Sequence, residues 1–286
     1  MATVHPARTR RRLRRRPGFR SPVVRRLIAE HQLDTVTIDG TGTAGRVTRE
    51  DVLRVLDTPP LHEVVPLNRV QRLTGQHMLR SLRVAPHAFI AMEVDFEQVE
   101  RVRRPAGLTY LPFVARAVVD AVAAYPHVNA AVGDGELVVH RAVHLGIAVD
   151  LDHEGLIVPV VRDADSKRLG ALAGAIDDLA ARARAKRLAP DDIAGGTFTI
   201  TNPGPSGTAI SAPIIHPPQV AILSTDGVRR RPVVVETDDG TDAIAPHAVG
   251  MLGLSFDHRA FDGAYASAFL ARVREIVETR PWDVEV

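Results

Sequence analysis

The chain contains no cysteine, few aromatic residues and no long apolar run. Without cysteine it can form neither disulfides nor thiolate metal sites, and it cannot use a cysteine nucleophile. This composition is compatible with a reducing compartment, and we expect a cytoplasmic protein. No apolar stretch approaches the roughly 20 residues that a membrane-spanning helix needs. With 286 residues, 45% of them apolar, the chain is long enough for one sizeable core and a small additional module.

Acidic residues are also missing from the first 20 positions, which carry eight arginines. The formal net charge is +2, and removing those eight charges leaves −6 for the remaining residues. Residues 1–20 repel one another and have little apolar surface to bury, so we predict a disordered basic tail. It could be a solvated tail or linker remnant, a nucleic-acid-binding arm, or a transit peptide. The nucleic-acid reading is disfavoured because no aromatic residues alternate with the arginines.

A compact helical unit is predicted over residues 21–57. Ser21 and Pro22 form a helix start, and apolar residues then recur at helical spacing. A glycine-rich loop from Gly40 to Gly45 follows, and Thr48 caps a second helix with Asp51 three residues on. Two short helices bury little apolar surface, so the unit should be marginally stable on size alone. A proline-stiffened linker over residues 58–66 separates it from a larger domain, residues 67–286.

Within the larger domain the pattern predicts helices over 67–82, 110–124, 169–186 and 265–277. Strands are expected at 88–95, 137–140, 143–149, 155–161 and 197–201, and an acidic hairpin tip at 233–243. The region from Pro213 to Leu223 is expected to contain a further strand. Six other histidines are scattered among these elements without metal-ligand spacing, so we predict no metal site: His87, His127, His140, His144, His216 and His247.

Ten residues near the C-terminus, Leu254 to Gly263, carry a candidate for proton transfer. An apolar strand leads into a turn with His258, then Asp262 four positions on. Histidine ordinarily titrates near neutrality, so it can take and return a proton at working pH. Asp262 can orient the loop, and Gly263 allows a turn that a Cβ would obstruct. Taken alone, so short a pattern could also be a histidine at a strand end with a solvated aspartate.

The run Ser-Phe-Asp-His-Arg-Ala-Phe-Asp-Gly from Ser255 to Gly263 resembles the active-site signature of the E2 acyltransferases of 2-oxoacid dehydrogenase complexes. The resemblance extends from Ser21 to the C-terminus. It includes the Pro-x-x-Asn-Ala segment at Pro126 and the Asn-Pro-Gly turn after Thr201. It implies an α+β fold: a chloramphenicol-acetyltransferase-like catalytic domain with a mixed sheet and flanking helices. A small helical peripheral-subunit-binding domain would precede it.

The resemblance also implies an activity and site residues. The family moves an acyl group between a dihydrolipoyl thiol and coenzyme A. His258 would then be the base, and Thr201, the hydroxyl residue before the Asn-Pro-Gly turn, would stabilise the oxyanion. Asp262 would hold the loop by pairing with an arginine of the first catalytic-domain helix, for which Arg69 and Arg72 are the candidates. The domain would be a homotrimer, alone or in a larger assembly, with His258 and Thr201 contributed by neighbouring subunits.

The loop string from Gly40 to Val52 is similar to the peripheral-subunit-binding domain of E2 chains, although a plain helical hairpin is the structural alternative. By resemblance it would bind an E1 subunit or the E3 subunit, dihydrolipoamide dehydrogenase. Arg46, with Arg25 or Arg26, would meet an acidic patch on that partner.

Three alternatives to this function stay open at the sequence level. Residues 1–20 cannot hold a lipoyl domain, so we expect a dihydrolipoyl group supplied in trans, or else a non-lipoyl acyl acceptor for coenzyme A chemistry. The chain could also be a non-catalytic assembly protein of the E3-binding type. A chloramphenicol-type detoxifying enzyme would not need residues 21–57.

Overall fold

The computed structural model describes residues 21–34, 38–57, 64–152 and 154–286. The chain divides into two compact units between Pro66 and Leu67. The predicted basic tail, residues 1–20, lies outside the described residues, and the predicted linker is described only at 64–66. None of the helices in the described residues is long and apolar enough to cross a bilayer.

The first unit is the predicted pair of short helices, α1 (Pro22–Glu30) and α2 (Arg49–Asp57). Each helix turns an apolar side inward, and the two meet around a core of four buried residues. These are Val24, Ile38, Val47 and Val52. The prediction of a small helical unit ahead of the larger domain is confirmed.

The loop between α1 and α2 is organised around the buried carboxylate of Asp51. Its oxygens accept the backbone N–H groups of Thr41 and Thr48, each at 2.9 Å, and both threonine hydroxyls. Asp51 N–H in turn donates to Thr48 Oγ1 (3.3 Å), which completes the predicted capping box. The N–H group of Thr41, then that of Thr48, holds the pKa of Asp51 well below its usual value. One ionised side chain therefore fixes the loop that a core of this size could not hold.

The second unit combines five helices with strands β1 to β11 within the residues that the structure covers. The helices are α3 (Arg69–Val84), α4 (Glu97–Ala106), α5 (Leu111–Ala124), α6 (Leu169–Arg184) and α7 (Gly263–Thr279). The strands are β1 (His87–Asp95), β2 (Ala130–Val132), β3 (Leu137–Val139), β4 (Leu145–Ile147), β5 (Val149–Asp150), β6 (Leu156–Ile157), β7 (Val160–Val161), β8 (Phe198–Thr201), β9 (Ala221–Thr225), β10 (Arg229–Glu236) and β11 (Asp242–Asp257).

Seven of these strands form one mixed sheet in the order β1-β11-β9-β8-β4-β7, with β10 paired to the first half of β11 on the side opposite β1. β8 runs parallel to both β4 and β9, whereas the other pairs are antiparallel. Two-stranded pairs β2-β3 and β5-β6 lie outside it. The predicted α+β class with a mixed sheet is confirmed.

One face of the sheet is buried under α5, α6 and α7, which together with it form the main core. α5 is the central element, because Phe113, Val114 and Val118 are wholly buried and most of its other residues are too. Full burial of each such valine contributes about 1.5–3 kcal/mol relative to exposure. This core holds rigid the strands that end in the candidate site.

Several elements differ from the prediction. The strand expected over 143–149 is divided into β4 and β5, which lie in different sheets. The single strand expected over 155–161 is two strands in different sheets, because Pro159 lacks the N–H that a continuous ladder needs. The strand expected from Pro213 starts only at Ala221, after Pro217 and Pro218. Helix α4 was not predicted, because its composition is mostly charged and only its inner edge is buried.

Candidate active site

His258 stands at the carboxyl end of β11, where the sheet fixes its backbone. Its N–H donates to Pro86 O (3.0 Å), and the preceding Asp257 N–H donates to Val220 O (2.8 Å). Its ring lies 5.7 Å from the ring of Phe256, which is buried. The side chain itself is exposed. The structure thus offers an accessible imidazole on an immobile backbone, which is the geometry that a general base needs.

The residues on either side of His258 form a clamp that the sequence did not reveal. Arg259 donates from Nε and Nη2 to the buried carboxylate of Asp257, at 3.0 and 2.6 Å, and its N–H binds the same group. The hydrogen bonds that the Arg259 guanidinium donates to Asp257 raise its pKa. The clamp closes the turn that carries His258. The sequence pattern that could have predicted this clamp is the aspartate and the arginine on either side of the histidine.

Asp262 holds the same turn from the other side, but not through the predicted ion pair. Its carboxylate accepts the N–H of Tyr265 (2.9 Å) and caps the first turn of α7. Within the described part of one chain, neither Arg69 nor Arg72 pairs with it, and Arg72 Nη1 donates to Leu67 O instead. The reason given for Gly263 was also wrong, because a Cβ there would meet nothing within 4 Å.

Thr201 is the last residue of β8 and is partly buried. Phe198 and Ile200 on that strand enter the main core, so Thr201 points to the opposite face of the sheet, together with Thr199. Its neighbour across the parallel pair with β9 is Ser224. The hydroxyl therefore stands at a strand end on the face that the core helices leave uncovered.

Within one chain, Thr201 and His258 lie at opposite ends of the sheet. The register pairs Thr201 with Ser224 and Ser224 with Gly253, five residues before His258 on β11. Five residues of strand span about 17 Å, and two strand spacings add about 10 Å sideways. The two groups are therefore roughly 20 Å apart, so a site using both needs Thr201 from one copy and His258 from another.

One cavity lies beside the His258 turn, and a smaller one adjoins it at Pro217, Pro218 and Gln219. The larger, about 630 Å³, is lined by Arg80, Gln219, Asp257 and Arg259 among others. The smaller, about 340 Å³, also touches Gln219, whose Oε1 accepts the hydroxyl of Thr199 (2.7 Å). The larger has the size of ordinary small-molecule pockets.

The smaller cavity is also lined by His216. The ring of His216 stacks on His77 of α3, with the ring centroids 6.2 Å apart. Burial, and secondly the charge of His77, lower the pKa of His216 below its usual value. His216 is therefore neutral at working pH, in keeping with a structural role.

The three arginines proposed for partner binding are all exposed in the first unit. Arg25 and Arg26 lie on α1, and Arg46 follows the glycine-rich loop, where its O accepts the N–H of Gly42 (2.9 Å). A Cβ on Gly40 would come within 2.6 Å of the Arg46 backbone, so glycine is required for the close approach that presents Arg46. In neither unit do the described residues contain a group of three His, Asp or Glu able to hold a metal.

Comparison with known proteins decides the family. The model of the 2-oxoacid dehydrogenase acyltransferase catalytic domain matches residues 59–285. This chain belongs to that acyltransferase family. A second model, of the E3-binding domain, matches residues 19–53.

Curated relatives of both acyl specificities resemble the chain. It is 36% identical over 295 residues to the acetyltransferase component of the pyruvate dehydrogenase complex of Corynebacterium glutamicum, covering 91% of this chain and 43% of the relative. It is 34% identical over 288 residues to the succinyltransferase component of the 2-oxoglutarate dehydrogenase complex of Escherichia coli, covering 90% and 70%. Against the acetyltransferase component of Mycobacterium tuberculosis it covers 56% of the relative. The chain thus spans about half the length of the first relatives it matches.

Solved structures agree in fold. A probable dihydrolipoamide acetyltransferase from Listeria monocytogenes superposes with a TM-score of 0.70 at 32% identity, covering 76% of this chain and 94% of that one. The dihydrolipoamide acetyltransferase of Azotobacter vinelandii also gives 0.70 at 32% identity, covering 77% and 96%. That enzyme was studied for the roles of a serine, a histidine and an asparagine in its catalytic mechanism. The cubic core of a pyruvate dehydrogenase complex matches equally well.

Proposed function

We propose that this chain transfers an acyl group between a dihydrolipoyl thiol and coenzyme A, as the E2 component of a 2-oxoacid dehydrogenase complex. The observation that carries the proposal is the exposed His258 imidazole at a rigid strand end, inside a catalytic domain of the acyltransferase family. The Azotobacter acetyltransferase has its mechanistic histidine and asparagine four positions apart. His258 and Asp262 have the same spacing.

The proposed chemistry is a direct thiol-to-thiol transfer. A thiol is mostly protonated at neutral pH, so His258 takes the proton of the attacking thiol as its sulfur bonds to the thioester carbonyl carbon. The carbonyl electron pair moves onto oxygen, and the Thr201 hydroxyl donates a hydrogen bond to that oxyanion. Collapse of the intermediate breaks the original carbon–sulfur bond. The imidazolium returns its proton to the departing thiolate, so no acyl-enzyme forms.

The distance between Thr201 and His258 within one chain supports a homotrimer. A closed ring of identical head-to-tail contacts places one end of each sheet against the opposite end of the next. Each contact then joins Thr201 of one copy to His258 of its neighbour. The likeness to a cubic core supports trimers that stack into larger assemblies.

We further assign residues 21–57 as the peripheral-subunit-binding domain, 58–66 as linker and 67–286 as catalytic domain. The acyl carrier is a dihydrolipoyl group. The absence of cysteine supports a reducing, cytoplasmic setting.

Assay of the wild-type chain with free dihydrolipoamide tests the function and identifies the acyl group. Acetyl-, succinyl- and branched-chain acyl-coenzyme A are compared side by side, and thioester transfer is followed by the release of free coenzyme A. We expect saturable transfer from one of the donors at a rate well above the other two. If no donor is used above the uncatalysed rate, the chain is instead a non-catalytic assembly protein of the complex.

The first unit is expected to bind an acidic patch on E1 or dihydrolipoamide dehydrogenase through Arg46, assisted by Arg25 and Arg26. Replacing Arg46 by glutamate reverses one charge at the contact and should weaken binding about tenfold or more, a change of about 1.4 kcal/mol. Calorimetric titration of each partner measures it. The matched control is Arg49→Glu, an exposed arginine at the start of α2. Equal losses in both variants would mean that only net charge matters.

A further inference from the structure

Helix α3 has an outward side that none of the described residues of the second unit covers. Along its 16 residues only Ser81 is buried, and its hydroxyl donates to Ile215 O (2.7 Å). Gly75, Leu79 and Leu82 follow at spacings of four and three, so they share one side of the helix. Leu79 and Leu82 are 56% and 54% exposed. That apolar stripe, which we call the α3 stripe, is unpartnered in the described chain.

Gly75 at the amino-terminal end of the α3 stripe supports a close approach by another backbone. Glycine inside a helix lowers its stability relative to alanine. Nothing in the described chain requires this one, because a Cβ on Gly75 would have no atom within 4 Å. The missing side chain one turn before Leu79 instead leaves a shallow notch in the helix surface.

A second unpartnered surface lies at the far end of the sheet. The pairing of β1 with β11 ends at Asp95 and Val249. Beyond that pair, β10 and the first half of β11 continue as a two-stranded ribbon. Val234 and Ile244 are cross-strand partners and are 63% and 77% exposed. Such a ribbon alone in water is marginally stable. Residues 232–246, which we call the ribbon tip, therefore present an apolar pair at a protruding end.

The charges of the two surfaces are opposite. α3 carries four arginines and no acid: Arg69, Arg72, Arg80 and Arg83. The ribbon tip carries four acids and no base: Glu236, Asp238, Asp239 and Asp242. Among the residues that the structure describes, none of these eight forms an ion pair with a group of opposite charge. On the helix, Arg72 and Arg83 flank Leu79 at spacings of seven and four. On the ribbon, the Glu236–Asp242 pair lies two positions beyond the apolar pair, on the same face.

The two surfaces also lie at the ends that a complete site must bring together. The carboxyl end of α3 leads through Pro86, whose O accepts the His258 N–H, into β1. The ribbon tip extends from the end of the sheet where Thr201 ends β8. A contact joining Thr201 of one copy to His258 of the next therefore also brings the ribbon of the first copy toward α3 of the second.

We propose that the ribbon tip of each copy docks across the α3 stripe of the next copy. Val234 and Ile244 cover Gly75, Leu79 and Leu82, and the acids of the tip face the arginines of the helix. This inference rests on the homotrimer in the proposed function and names the surfaces that hold it. The closed ring covers every such apolar surface, whereas a monomer leaves all of them exposed.

Charge reversal on each side, followed by recombination, tests the docking. The helix variant is Arg72→Glu with Arg83→Glu, and the ribbon variant is Glu236→Arg with Asp242→Arg. Sedimentation equilibrium should show the wild type at three times its 31.0 kDa chain mass, or a multiple of it. Each variant should dissociate at concentrations at least a hundredfold higher, and the chain with all four substitutions should recover to within tenfold. The control, Arg184→Glu with Arg187→Glu on the α6 side, should not change the mass.

Disulfide cross-linking provides a second test with smaller substitutions, since the chain has no cysteine of its own. Leu79→Cys and Ile244→Cys in one chain should give covalent dimers and trimers on oxidation, whereas each single variant should not. Covalent dimers and trimers that form only when both cysteines are present would support the docking even if the His258→Ala variant retained activity. Retained activity in that variant would contradict only the proposed chemistry. The docking would be overturned if the trimers formed no covalent cross-links on oxidation, or if the charge-reversal variants kept the wild-type mass. The α3 stripe would then contact another partner.

Discussion

Replacing His258 by alanine is expected to lower coenzyme A-dependent transfer to dihydrolipoamide by about 10²- to 10⁴-fold, the usual contribution of a positioned general base. The ring is exposed and makes no hydrogen bond that the fold needs, since its position is set by the backbone contact to Pro86 and by the clamp of Asp257 and Arg259. The loss should therefore appear in kcat, with the melting temperature unchanged. Initial rates at saturating substrate measure it.

The matched control is His31→Ala, an exposed histidine at the end of α1 in the other unit. It should leave kcat within a factor of about two, because it belongs to the other unit and not to the catalytic domain. A His258→Ala enzyme with wild-type kcat would eliminate this imidazole as the base. Loss of activity together with loss of folding, seen as an earlier thermal transition, would also contradict the assignment.

Mixing two inactive variants is expected to restore activity. Thr201→Val removes the proposed oxyanion donor and should cost about 10²- to 10³-fold in kcat, and His258→Ala removes the base. If each site takes Thr201 from one copy and His258 from the next, every mixed ring contains one complete site. Random assembly of equal amounts makes about three in four rings mixed, with one complete site in three. About a quarter of wild-type activity should therefore return.

Co-expression of the two variants with different affinity tags gives the mixed rings, and purification through both tags isolates them. In doubly purified rings activity should rise to about one third of wild type, one complete site in three. The control mixes two separately tagged His258→Ala chains, which should stay inactive. If mixed rings are no more active than the parents, the two residues do not cooperate across copies, and the roughly 20 Å between them within one chain then separates Thr201 from the reaction.

Local patterns carried much of the prediction. The apolar run before His258 indicated a strand because alternate residues must be buried, and β11 is that strand. Thr48 and Asp51 indicated a helix cap because their reach is local, and both hydrogen bonds are present. Residues separated by a few positions interact with one another through the local backbone geometry. Such motifs can be interpreted without knowing the rest of the fold.

Contacts between distant residues could not be predicted in this way. Helix α4 depends on burial of Val99 and Glu100 against other elements, and its charged sequence hides that. Neither arginine considered for Asp262 pairs with it among the described residues of one chain, and Arg72 donates to the Leu67 carbonyl instead. Side chains of this length reach several alternatives, and only packing selects among them.

The sequence alone indicated the two units and a candidate base in His258 through local periodicity and a short motif, and its resemblance to the acyltransferase family implied the mixed α+β class. The tertiary structure alone decided that Thr201 and His258 lie at opposite ends of one sheet. Strand order and direction set that distance, and neither is encoded in the spacing of residues along the chain. The sequence therefore indicated the chemistry, whereas the need for a second copy of the chain became apparent only from the three-dimensional structure.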